Sequence, residues 1–113
     1  LAMSSPRIVV YATDRPFRLQ CEAHLREAGV VVRLASRQAE LAKALGDGST
    51  AAIIVGDDGH DADVARELVD AQPATLGPPV RILQRAPGES IEEIVARALG
   101  VTDTLMRQLR SSE

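Results

Sequence analysis

Thr50-Ala-Ala-Ile-Ile-Val-Gly-Asp-Asp-Gly-His-Asp61 is the stretch on which the fold turns. Ala51 to Val55 shows no polar alternation, which suits a strand buried on both faces, as in a parallel sheet. Gly56 to Asp61 then breaks the strand and supplies capping residues for a helix. In an open α/β sheet, ligands gather outside the carboxyl ends of the strands. The acidic turn falls there.

The same strand-then-helix pattern extends to either side. Arg7-Ile-Val-Val-Tyr11 is apolar and β-branched, a strand. Asp14 is a suitable N-cap, and Pro16 sits in a first turn, where it costs no hydrogen bond. That helix runs to about Ala28 on Phe17, Cys21, His24 or Leu25, and Ala28, and Gly29 is the expected residue after its end. Val30 to Ala35 is a second strand. Ser36 caps a helix on Ala39, Leu41, Ala42 and Leu45, stopped by Gly46-Asp-Gly48. Beyond the central strand, a helix is expected from about Ala62 to Ala71, with Val64, Ala65, Leu68 and Val69 inward. Pro73, Gly77, Pro78 and Pro79 form a stiff connection to a strand at Val80–Gln84. Ser90-Ile-Glu-Glu93 has the form of a capping box, opening a helix from Ile91 to about Arg110. Four alternations of strand and helix predict a parallel sheet covered on both faces.

Composition narrows the function classes. The chain has 113 residues, which argues for one domain, expected to span 6–113. Leu1-Ala2 ahead of Met3 reads as a tag remnant, so 1–5 is expected outside the fold. Hydrophobic residues make up 45% but aromatics only 2%, so the core must be aliphatic and few rings exist for stacking on bases. The net charge is −3 with no basic patch, which argues against nucleic acid and anionic membranes as partners. No apolar run reaches the roughly 18–20 residues of a membrane span. The single cysteine, Cys21, cannot form an internal disulfide. That fits a cytoplasmic protein, with the thiol a buried packing residue.

This order of elements, together with Arg7-Ile-Val-Val10, a third strand running into Asp57, and Pro79-Val-Arg-Ile-Leu83, resembles the receiver domain of two-component response regulators over about Arg7 to Leu99. The resemblance implies a single flavodoxin-like three-layer α/β domain. Its parallel sheet would have four or five strands in the order 2-1-3-4-5, with helices on both faces and a long C-terminal helix. It also implies a magnesium-dependent aspartyl phosphoacceptor, and here the chain departs from the family. The two acids expected after the first strand are Ala12 and Thr13, with only Asp14 beside them. The phosphoacceptor position is Gly56, and Asp57 comes one residue late. The Ser/Thr closing the fourth strand is Gln84, and Arg85 stands near the place of the family's Lys. Val80–Gln84 can be read as the fourth or the fifth strand, so one strand–helix unit is missing or reduced. In this the chain resembles the pseudo-receivers of clock, motility and localisation proteins.

Three sites deserve weighing. Asp14, Asp57 and Asp58 have the chemistry to hold Mg²⁺, with Asp57 as phosphoacceptor. Against this, Asp14 and Asp61 read equally as helix caps and Asp57 and Asp58 as a solvated turn, because a one-residue slip on a strand turns a side chain to the other face. His60 with Asp58 or Asp61 is the second, a transition-metal arrangement short of further ligands. The third is the last helix. Ile91, Val95, Ala98, Thr102, Leu105 and Leu109 follow heptad spacing. Its first half is expected on the sheet. Its second half, the 100–113 extension with Leu105, Met106 and Leu109, is expected to leave the body and form a homodimer interface, with Gly100 a place for a bend or break; the competing reading is that the whole helix packs on its own domain. No GxGxxG, P-loop or GxSxG occurs. The expectation is a phosphorylation-incompetent module without a cofactor, the N-terminal sensory or targeting piece of a larger bacterial signalling or localisation protein. It would act by protein–protein interaction. The competing expectations are a Mg²⁺-dependent receiver using Asp57 and a small flavodoxin-like enzyme or carrier.

Overall fold

A computed structural model of the protein describes residues 7–46, 50–56, 59–72 and 80–111, with the side chains through 108. The strands are β1 (Arg7–Tyr11), β2 (Val31–Ala35), β3 (Thr50–Val55) and β4 (Arg81–Gln84), and the helices are α1 (Arg15–Glu27), α2 (Gln38–Leu45), α3 (Gly59–Asp70) and α4 (Ile91–Ser111). Every pairing is parallel, in the order β2-β1-β3-β4. Of the expected order 2-1-3-4-5, the first four places are filled. No fifth strand is present among the described residues, and Val80–Gln84 supplies a strand that pairs directly with β3.

β3 is the centre, buried at all six positions. Its side chains alternate between two cores, as period 2 requires. Ile54 and Ala52 join Ile8, Val10 and Ala12 of the β1 segment under Phe17, Cys21 and Leu25 of α1 and Ile94, Val95 and Ala98 of α4. Ile53 and Val55 join Val9 and Tyr11 under Leu41, Ala44 and Leu45 of α2 and Ala62 and Ala65 of α3. The sheet is thus sandwiched between α1 and α4 on one face and α2 and α3 on the other.

Several local expectations need correction. Asp14 stands at the N-cap of α1, but its side chain makes no capping hydrogen bond. Ser36 does not cap α2. Arg37 holds that place, and the Glu40 carboxylate turns back to accept from the Ser36 and Arg37 N–H groups at 3.0 and 3.1 Å and from the Ser36 hydroxyl at 3.0 Å. Those bonds, the Ser36 N–H first, pull the Glu40 carboxyl below its ordinary value. Ala39 is exposed and Ala44 takes the buried place. α3 starts at Gly59, earlier than Ala62, which brings Asp61 inside the helix. The capping box of α4 is present, with Glu93 N–H donating to Ser90 Oγ at 3.1 Å and Ser90 N–H to Glu93 Oε1 at 3.2 Å. Gly29 ends α1 at φ +81°, a left-handed conformation that favours glycine. α4 runs unbroken past Gly100, and Thr102 is still buried, so the helix stays on the body further than expected.

Candidate functional site

The strand order reverses direction at one place. β1 leads into α1 on one face, and its neighbour β3 leads into α3 on the other. The two connections diverge above the carboxyl ends of β1 and β3, which is where an open α/β sheet forms its crevice. The residues there are Ala12, Thr13 and Asp14 after β1, and Gly56 after β3.

Each helix sends a side chain across this gap to the other strand's end. Phe17, in the first turns of α1, is 4% exposed and reaches β3's end, where its ring edge lies 4.0 Å from the place of a Cβ on Gly56. Asp61, in the first turn of α3, is 2% exposed and reaches β1's end, where its Oδ2 accepts from the Thr13 N–H at 3.4 Å. A buried carboxylate demands a partner, and the Thr13 amide after β1 supplies one. Arg18 Nη1 donates to the Ala12 and Thr13 carbonyls at 2.7 and 3.2 Å, tying the same turn to α1.

Arg85 closes the third side. Its N–H extends the ladder to the Val55 carbonyl at 3.1 Å. Its guanidinium lies 5.5 Å from the centre of the Phe17 ring, within cation–π range. Its Nε donates to the Glu89 carbonyl at 2.7 Å. Beneath this cation, burial pushes the Cys21 thiol up to about 11, only partly offset by the Arg85 charge. Such a thiol is protonated at neutral pH and a poor nucleophile. Glu89 faces outward to Arg97, whose Nε donates to Oε2 at 2.8 Å and whose Nη2 donates to Oε1 at 2.8 Å and to the Gln84 carbonyl at 2.7 Å. The Arg97 guanidinium, and then the Ala86 N–H, hold the Glu89 carboxyl below its ordinary value.

Of the three acids expected to hold magnesium, only Asp14 is among the described residues. Asp14 is exposed. Asp57 and Asp58 lie outside the described residues. Ala12 and Thr13 stand where paired acids would be, and no group of three or more His, Cys, Asp or Glu side chains poised for a metal occurs among the described residues. His60 is exposed at the start of α3, and its neighbour Asp61 is turned inward to Thr13 rather than toward a shared ligand.

Sequence reasoning placed Phe17 in a helix stripe and Asp61 at a cap, and missed that both plug the crevice. A faint signal existed: the chain's only Phe lies three residues past the cap position, beside the end of the first strand.

On the interface side, Leu105 is half-buried and Met106 is 39% exposed, while the Leu109 side chain lies outside the described set. A groove of about 540 Å³ lies between β4 and α4, lined by Arg81, Leu83, Arg97, Val101, Thr104 and Leu105 among others. No helix among the described residues is long and apolar enough to cross a membrane. No protein-family model, curated protein or solved structure matches the chain.

Proposed function

We propose that the chain is a pseudo-receiver-like module of flavodoxin-like fold that performs no phosphoryl transfer and works by binding other proteins in the cytoplasm, in bacterial signalling or protein localisation. One observation carries this reading: the chain's own Phe17 and Asp61 lie buried at the strand reversal, each beside the end of the other helix's strand. Phosphoryl transfer to Asp needs an accessible carboxylate, a cation held by neighbouring acids, and room for a phosphoryl group. A buried ring beside Gly56 and a buried carboxylate bound to the Thr13 amide occupy part of that room. The surfaces left for function are outward ones, the second half of α4 and the free edge of β4.

The test is incubation with Mg²⁺ and acetyl phosphate, or with beryllium fluoride, followed by intact mass and amide spectra. The expected result is no adduct and no change in either. A stoichiometric adduct abolished by Asp57→Asn would replace this reading with a working receiver.

A further inference from the structure

Among the described residues, the order β2-β1-β3-β4 leaves β4 on one edge of the sheet. Backbone groups alternate sides along a strand. Arg85 N–H points to β3, where it meets the Val55 carbonyl. By alternation Leu83 also faces β3, while Ile82 and Gln84 turn their N–H and C=O groups to the open side. The bond from Arg97 to the Gln84 carbonyl, made from the α4 side, agrees with that direction. Three ladder groups are therefore presented outward: the Ile82 N–H and C=O and the Gln84 N–H.

The groove runs beside this edge. Leu83, Val101 and Leu105 give it an apolar wall, Arg81 and Arg97 are its charged members, and no acid lines it among the described residues. Arg97 is neutralised by Glu89 at 2.8 Å. Arg81 is exposed and shows no hydrogen bond or ion pair among the described residues. The groove is thus cationic on a chain whose net charge is −3.

We infer that this groove takes an extended acidic–apolar segment of a partner protein as an added fifth strand. Main-chain bonds to Ile82 and Gln84 hold such a segment, alternate apolar side chains rest on Leu83, Val101 and Leu105, and a carboxylate meets Arg81. A second copy of this chain fits less well. It would bring its own exposed Arg81 to a site whose described lining carries no acid, and like charges across an interface are costly. The inference rests on the interaction-module reading and names its partner. It shares Leu105 with the expected dimer surface but not Met106, which lies about 140° around the helix from Val101 at 100° per residue.

Fluorescence polarisation tests it with a fluorescein-labelled six-residue peptide alternating valine and glutamate. The controls are a valine–lysine peptide and a valine–glutamate peptide N-methylated at alternate amides. The expected result is saturable binding of the first alone. Arg81→Glu is expected to weaken that binding roughly tenfold, with an unchanged circular dichroism spectrum because Arg81 is exposed. Equal binding of the lysine peptide, survival of binding after N-methylation, indifference to Arg81→Glu, or no binding at all would each overturn the inference. So would a wild-type dimer dissolved by Arg81→Glu, which would seat a second copy in the groove. The interaction-module reading fails separately, on the phosphorylation assay.

Discussion

At the scale of single residues, the crevice is decided by two side chains that swap ends. Phe17 travels from the helix after β1 to the end of β3, and Asp61 from the helix after β3 to the end of β1. Neither crossing was legible in the sequence, because each depends on which strands are neighbours, and that is a property of the sheet order. What was legible was local chemistry: Ala12 and Thr13 after the first strand and Gly56 after the third put no carboxylate directly at either strand's end. Cys21 was also readable as a packing residue. It is fully buried with its thiol raised to about 11 by burial. Ellman's reagent at pH 8 is expected to leave Cys21 unmodified in the native protein and to react within seconds once guanidinium is added. Fast native reaction would mean that α1 does not seat on the sheet. The raised value also sets a sign. The folded state holds the proton more tightly than the unfolded one, so this site's contribution to stability is intact below an ordinary thiol value near 9 and declines as pH climbs from there toward 11.

At the scale of elements, β3 was the most readable part of the chain and β4 the least. Six consecutive apolar or small residues admit a strand buried on both faces, and the structure buries all six. β4 has only four residues, exposed at both ends and half-buried at Ile82 and Leu83, so it shows neither the alternation nor the full burial that marks a strand, and its expected neighbour on the far side came from a resemblance. Helix ends erred by one to three residues, because Ser36 and Asp61 found partners other than the local amides assigned to them. Ile54→Ala tests the centre. The side chain is fully buried, flanked by strands on both sides and covered by α1 and α4. The substitution is expected to cost about 2–4 kcal/mol in urea unfolding, as transfer and cavity terms add. A loss below about 1 kcal/mol would show that β3 is peripheral.

At the scale of the whole molecule, the question is what covers the outer half of α4. Met106 is 39% exposed and Leu105 half-buried, on the part of the helix beyond Thr102. We expect a homodimer in which this segment contributes, since a two-fold pairing is the commonest way to bury such a patch. Each fully buried Leu or Met contributes roughly 1.5–3 kcal/mol before association costs. Sedimentation at tens of micromolar is expected to show a dimer for the wild type and a monomer for Leu105→Glu/Leu109→Glu. A monomeric wild type, or a dimer indifferent to both charges, makes α4 purely intradomain packing.

The two-sided covering of the sheet has a consequence for synthesis. Ile8, Val10 and Ile54 are complete as a surface once β3 has been made, but their cover includes Ile94, Val95 and Ala98 near the other end of the chain. At roughly 5–20 residues per second, the ribosome takes several seconds to travel from Val55 to Ala98. Through that interval the nascent chain carries an aliphatic surface covered by α1 alone, beside a strand edge that β4 has yet to fill. Ribosome-bound chains arrested before Ile91 should therefore be captured by holdase chaperones, and release of the last helix should end that capture.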